Sequence, residues 1–442
     1  MRRRNFALGT SGLLLAGGAT AQGVGQTETD FVQLSYASRQ RLEDAIDKYI
    51  TDSGFAGRAD VLLEFGAADV NVRGDHPDWA RHRTLAFDSA LLEAQSKLVS
   101  RLNTRIVAES IERLFRAGNS EPPPFQAEGL NRPGQMNDLL RRLLAVARGR
   151  LDNELRELGI EPETLNQAPE PQRHVMLARS LRQTSVRRSV GELVGFEPVQ
   201  TFEVHDGRGN FRIGVVMVGS ERSKAIARDI LQRRGQFTPE PARAMDLRQV
   251  VADRSRLLDD FGVRRVTDEA GMPALLSFAQ WGIGYRGNDR VRLGMELDIA
   301  GRQVREMADR QIAEYLAGSG QFDSNSEIGM EIEQAVQRHA DGYVETSPST
   351  TALVDGLRQV MRRRANLQGI TGLSTLLAWS QTHPVTNQPI IGAVRVWSAS
   401  ADQATRAFRD GRTPQGTAVE PNNSAGQPGM RQGRPLTTSR DF

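Results

Sequence analysis

Six histidines are spread along the chain (His76, His82, His174, His205, His339 and His383), and cysteine is absent. A metal centre needs His, Asp or Glu ligands that converge on one point, usually with two of them from one local motif. His76 and His82, beside Asp75 and Asp78, come closest to that pattern. The plainer and favoured reading has His76 closing a turn and His82 on a wet helix face. His205 and His383 both fall in hairpin turns, where small polar neighbours account for them. Thiol chemistry is excluded without cysteine, and no Gly-x-Ser-x-Gly elbow stands between a strand and a helix. Ser220 and Ser398 each follow a strand and open a helix, so each fits a nucleophile or, by default, an N-cap. Gly207-Arg-Gly209 lacks the third glycine and the following helix of a phosphate loop, and reads as a hairpin turn. The acid pairs Asp259-Asp260 and Asp268-Glu269 read as surface carboxylates, because acid–base work needs two acids in one cleft. No catalytic residue, cofactor ligand or metal ligand is therefore assigned.

What orders these residues is a repeat. Ile213-Gly-Val-Val-Met-Val-Gly-Ser220 returns as Ile391-Gly-Ala-Val-Arg-Val-Trp-Ser398. Ahead of each copy stand an apolar run and a turn: residues 201–205 with Asp206-Gly-Arg-Gly-Asn210, and residues 373–379 with His383-Pro-Val-Thr-Asn387. Behind each comes an alanine-bearing helical pattern. A hairpin followed by a helix thus occurs twice, which predicts a duplicated αβ unit. Ser220 and Ser398 occupy the same place in the two copies, and duplication favours the cap, since a nucleophile is needed only once.

Along the chain, the spacing of apolar residues predicts a helix over 31–50, a strand over 61–72 and a long helix over 78–117. Ala86, Ala90 and Ala94 form a small-residue row that would let this helix lie close against a sheet. Prolines mark residues 119–135 and 161–172 as connections, with helices over 136–158 and 172–193. A helix over 220–234 closes the first half, and residues 236–242 read as the boundary between halves. Beyond it, 247–261 reads as a helix, 275–285 and 290–299 as two strands, and 300–316, 327–340 and 350–365 as helices. The fold class that follows is α+β: two tandem related units, over 58–235 and 245–410. Each holds a small, mainly antiparallel sheet, four strands being the economical number, with helices packed on one face and a helical insertion.

Arg2-Arg3-Arg4, the short apolar stretch Phe6 to Ala19 and Ala19-Thr-Ala21 have the layout of an export signal cleaved after residue 21. Arg3-Arg4-Asn-Phe6-Ala-Leu8 also follows the twin-arginine pattern. The three arginines of that signal account for the whole excess of 57 basic over 54 acidic residues, so the mature chain is formally neutral. A nucleic-acid partner is not expected. No later segment has the length of a membrane span, and the glycine-, proline- and polar-rich sequence from Gly411 predicts a disordered tail. The expected address is the periplasm of a Gram-negative cell.

Val291 to Leu297 with Gly294, read as a strand entering a helix with small residues four apart, and the similar run from Val70 to Ala94, resemble flagellar assembly and outer-membrane proteins of the LPP20, FlgP and FlgT type. They resemble the amino-terminal domain of TolB more distantly. The resemblance covers residues 61–102 and 275–316 and implies a non-enzymatic assembly role in the envelope. It carries over no functional residue, and the lipid-anchor cysteine of those proteins is missing here. The expected function is thus a structural or assembly protein with partners in the cell envelope or with itself. The alternative is a periplasmic enzyme or ligand-binding protein with its site between the two units. Arg187-Arg188 and Arg362 to Arg364, which precede the hairpin in each half, read as solvated helix faces, with an anionic partner as the minor reading. Trp79, Trp281, Trp379 and Trp397 lie in or beside the hairpins, where they serve packing or a binding platform.

Overall fold

The computed structural model describes residues 34–55, 57–147, 150–232, 237–318, 334–340, 350–367 and 371–409; the expected signal peptide and the expected tail lie outside them. The chain is α+β, with two antiparallel sheets. The first has the order β1-β3-β2, from β1 (Val61–Asp69), β2 (Glu197–His205) and β3 (Phe211–Ser220). The second has the order β4-β5-β7-β6, from β4 (Gly262–Thr267), β5 (Pro273–Gly282), β6 (Leu373–Thr382) and β7 (Pro389–Ser398).

The two copies of the repeat are β3 and β7, and each lies between its hairpin partner and an earlier strand. Ser220 pairs with Val61 on β1, as Ser398 pairs with Ala274 on β5. The hairpin registers shift at matching places, between Pro198 and Gln200 opposite Met217 and Val216, and between Thr375 and Leu377 opposite Arg395 and Val394. Counted from the start of the repeat these are the same positions, so both copies carry the extra residue of a β-bulge at one site. Gly195 and Gly372, with φ of 69° and 84°, precede the two hairpins. Their missing Cβ atoms let the backbone press on Ser223 and Asp402 in the helices that follow.

Among the described residues, the helices with both ends in view are α1 (Tyr36–Asp52), α2 (Trp79–Ala117), α3 (Pro133–Ala147), α4 (Asp152–Glu157), α5 (Pro162–Gln167), α6 (Glu170–Gly191), α7 (Glu221–Gln232), α8 (Leu247–Val250), α9 (Arg290–Gly318), α10 (Thr350–Leu367) and α11 (Ala399–Arg409), and residues 334–340 are helical as well. In each unit the helix that follows β1 or β5 covers the same face of its sheet. A Cβ on Gly66 of β1 would stand 2.0 Å from the Ala90 carbonyl and 2.7 Å from the Ala94 nitrogen, so the alanine row does bring α2 hard against the sheet. At the matching position of β5, Ala279 packs with Val304, Met307 and Ala308 of α9. The reverse faces are covered as well. Leu42 and Ile46 of α1 pack on Val216 of sheet one, while the start of α2 joins Leu276, Phe278 and Val394 of sheet two in the largest core cluster. From one side to the other the layers are α1, sheet one, α2, sheet two and α9. Being covered on both faces is why β5 is buried along nearly its whole length rather than at alternate residues. The insertion α3–α6 builds a separate core with the end of α2, centred on Ile111, Leu140, Leu143 and Leu177.

Several sequence expectations are corrected, among them the single helix over 136–158, which is broken into α3 and α4. Residues 290–299 open α9 instead of forming a strand, although Val291, Leu293, Met295, Leu297 and Ile299 alternate with polar residues. The Asp289 carboxylate accepts hydrogen bonds from Val291 N (2.9 Å) and Arg292 N (3.2 Å), so this turn residue caps a helix. The fourth strand of sheet two is β4, and residues 247–261 hold only α8 and a 3-10 turn, Arg254–Leu258, where one helix was expected. Among the described residues, sheet one has three strands where four were expected. The proline-marked connection over 119–135 also contains a 3-10 turn, Ala127–Asn131.

Candidate functional site

Two groups of polar side chains lie where α2 meets both sheets. The first is a buried ion network. Arg83 stands on the apolar stripe of α2, between Ala80 and Phe87, and is only 2% exposed. Its Nε donates to Glu203 on β2. Its two Nη atoms donate to the Gln280 side-chain oxygen on β5 (2.8 Å) and to the Leu258 carbonyl (2.7 Å). Glu203 is also 2.8 Å from His383 Nε2, in the turn of the second hairpin. Burial alone would raise the Glu203 pKa; the Arg83 guanidinium and His383 more than offset it and hold the carboxyl at about 2. Gln280 closes the set by donating to the carbonyls of Leu257 (2.8 Å) and Asp260 (2.8 Å). Trp79 lies against this group, 4.7 Å from His383 and 4.8 Å from Phe211 between ring centres. α2 and the two hairpins are thereby tied at one point by charge.

The second is a pocket of about 100 Å³ between the units. Phe87 and Leu91 of α2, Phe196, Pro198 at the start of β2, Met217 of β3 and Val263 of β4 supply its apolar wall. Polar groups come from α2 (Asp88, Gln95), α9 (Gln311, Glu314, Tyr315) and α10 (Arg358). Arg358 donates to the Asp88 carbonyl at 3.2 Å, and its guanidinium is 3.6 Å from the Asp88 carboxylate. Gln311 accepts from Ser277 of β5 at 2.7 Å. Behind the wall, Glu197 accepts from Arg265 N at 2.8 Å; burial pushes its carboxyl up, against the pull of Arg265. Burial, then Glu197, raises the Tyr315 hydroxyl so that it stays protonated. The arrangement combines an apolar wall with a few polar groups, the make-up of a small-molecule site.

The residues singled out in the sequence are scattered with respect to these groups. His76 does close a turn, its Nδ1 accepting from Asp78 N at 3.1 Å, and its ring is 6.5 Å from that of His82. His82 is half-buried with an enclosed Nδ1, so it is not on a wet face. Among the described residues no group of three or more His, Cys, Asp or Glu is placed to hold a metal ion. Ser220 and Ser398 are both caps: their hydroxyls accept from Ser223 N and Ala401 N, each at 3.1 Å. Asp206 accepts from Arg208 N and Asn210 N and so organises the Gly207-Arg-Gly209 turn. Asp259 and Glu269 are exposed, and Asp260 is half-buried, bonded to Arg264 at 2.5 Å. Asp268 is no surface acid. It is buried, accepts from Ala270 N and Met272 N, and takes the Ser400 hydroxyl at 2.6 Å. Arg187 and Arg188 are exposed on α6, and the side chains of Arg362 to Arg364 fall outside the described residues. Trp79, Trp379 and Trp397 are core residues; Trp281 is half-buried, with Arg81 over its ring at 5.9 Å. Sequence reasoning missed Arg83, Glu203, Gln280, Tyr315 and Arg358. Only Arg83 leaves a signal, as a charge on an otherwise apolar helical stripe.

The family model DUF6844, a domain of unknown function, matches residues 136–232, the span from α3 through α7. No curated protein matches the chain. Among solved structures, that of the hypothetical protein FTT1539c from Francisella tularensis is similar, with a TM-score of 0.50 and 21% identity over 85% of this chain and 93% of that one. At that identity the likeness is one of fold. No helix among the described residues is long and apolar enough to cross a membrane.

Proposed function

We propose that this chain is an exported periplasmic protein that works by binding a small molecule between its two duplicated units, without catalysis. One observation carries this reading: both units contribute wall to a pocket in which an apolar surface meets polar groups from α2, α9 and α10. The layout of residues 1–21 supports the export half of it. A fragment library screened by thermal shift tests the binding half, with Leu91→Trp as the control that fills the pocket. Compounds that raise Tm only in the unsubstituted protein support a site there; a library with no such compound sinks it.

A second reading, an assembly protein acting through protein contacts, is favoured by the start of α9. Leu293 and Leu297 continue the buried stripe of Ala300, Val304 and Met307 beyond the sheet, and Val291, Met295 and Ile299 line another face at 74%, 61% and 51% exposure. Surface of that kind marks contact sites. Light scattering over a concentration range decides it: a defined oligomer supports assembly through self-contact, and a monomer throughout counts against it.

A further inference from the structure

We propose that the groove between β6 and α9 is the docking site of this chain's own segment after α11, with Phe442 seated in the second unit where the first seats Phe261. The proposal is independent of the pocket between the units.

The first unit shows what such a groove holds. Pro198, Thr201 and Glu203 of β2 lie opposite Met217, Val215 and Ile213 of β3. Paired residues share a face of their sheet, and this is the face that α2 covers. Pro198 and Thr201 are buried, and the Glu203 side chain is nearly so. Their cover is the segment that enters β4. Phe261 stacks on Phe87 of α2 at 4.7 Å between ring centres. The Leu258 carbonyl takes the same Arg83 that holds Glu203, and a Cβ on Gly262 would stand 2.7 Å from Pro198.

In the second unit the floor of that groove is bare. At the equivalent places Thr375, Ala378 and Ser380 of β6 lie opposite Arg395, Ala393 and Ile391 of β7, and all three are exposed. The wall corresponds as well: Ala90, Glu93 and Ala94 meet Gly66 as Val304, Met307 and Ala308 meet Ala279. That register sets Leu297 in the place of Arg83 and Gly301 in the place of Phe87. Leu297 is 37% exposed, and a Cβ on Gly301 would find only the Arg305 guanidinium within reach, at 3.7 Å. A phenyl ring therefore has room and apolar surface there. Arg302 and Arg305, both exposed, supply positive charge for an acid beside it. An open face at the last unit of a repeat is what a cap covers.

The chain carries a segment that fits. α7 and α11 are equivalent, each opening after the serine that closes its copy of the repeat. After α7 the chain passes Thr238-Pro239 and reaches Asp260-Phe261. After α11 it passes Thr413-Pro414 and reaches Asp441-Phe442 over a comparable length. Being tethered to α11 makes the docking intramolecular, so weak contacts suffice.

A chain without cysteine allows a direct test, since two introduced thiols can pair only with each other. Ser380 and Arg440 take the places of Glu203 and Asp259, which are close enough for the one charge to act on the other. The full chain with Ser380→Cys and Arg440→Cys, mildly oxidised and followed on non-reducing gels, should form its disulfide within one chain. The rate should exceed by about tenfold or more that of a control pairing Arg440→Cys with Asp47→Cys, Asp47 being exposed on α1. Adding Phe442→Ser should bring it down to the control rate. Disulfides between chains instead of within them would give the groove to a second copy and overturn docking in the same chain. A rate no faster than the control, or one that Phe442→Ser leaves unchanged, would overturn the docking altogether.

Discussion

The Arg83–Glu203–His383 network makes a quantitative demand on acid stability. Glu203 has a folded pKa of about 2 against an ordinary 4.5, so its ionised form is favoured in the native state by about 3 kcal/mol. A depressed carboxylate contributes its full stabilisation above the unfolded pKa and loses it as pH falls through the folded one. The window is therefore pH 4.5 down to 2, at about 1.4 kcal/mol per pH unit. Glu203→Gln keeps the shape but leaves Arg83, at 2% exposure, facing a neutral amide. At pH 7 the variant should be about 3 kcal/mol less stable than the parent, within the range for breaking a buried ion pair. The difference should shrink steadily below pH 4.5. Urea unfolding followed by tryptophan fluorescence reads it directly, because Trp79 packs on His383. Taking parent minus variant at each pH cancels the raised carboxylates Glu64, Glu197 and Asp268, which titrate alike in both, whereas Asp259, raised by burial and in part by Glu203 itself, does not cancel. A difference that stays constant from pH 7 to 3 would mean that Arg83 and His383 do not hold Glu203 ionised.

Three further outcomes follow from the same structure. His339 is kept neutral, at a pKa of about 4, by burial and then by Arg182. The parent should lose about 2 to 3 kcal/mol as pH falls from 6.5 to 4, and His339→Gln should remove that part of the urea profile. The outer edge of β1 is covered by α2: Glu93 accepts from Ala67 N at 2.7 Å, while Lys97 and Arg101 donate to the carbonyls of Phe65 and Leu63, each at 3.1 Å. Replacing all three by alanine bares that edge and should produce concentration-dependent association in light scattering, whereas a variant no more associated than its parent would show the edge to be protected otherwise. Gly66→Ala drives a Cβ into the backbone of α2 and should cost about 3 kcal/mol in urea unfolding; a cost under about 1 kcal/mol would mean that α2 slides aside freely.

How far the sequence could be read depended on whether a signal was local. The repeat was legible because hairpin, bulge and cap are all built from neighbours, and the two copies place Ser220 and Ser398 alike. The alanine row of α2 was legible for the same reason, since close approach needs small residues at helical spacing. The start of α9 was misread for a local reason too: five apolar residues at every second position imitate a strand. Asp289 opposed that reading, but a side chain that caps a helix is of the same type as one that closes a turn.

The pocket and the ion network were not legible, because no single segment contains them. Glu203 and His383 are turned toward one another only once α2 has separated the two sheets, and Tyr315 reaches the pocket from a helix whose first turns were read as a strand. Arg83 is the exception. On the stripe running through Trp79, Ala80, Ala86, Phe87 and Ala90 it is the one charged residue, and burying a guanidinium there requires an anion from whatever packs on that stripe. Of the acids in the strands that line the α2 face of sheet one, Glu203 lies beside Thr201 on the inward side of β2, where alternation places it. The partner of Arg83 could thus be argued from periodicity once the stripe was known to face a sheet. Buried charges on apolar stripes are the first residues to pursue in such a fold, since a guanidinium taken out of water requires an anion on an element that packs against it.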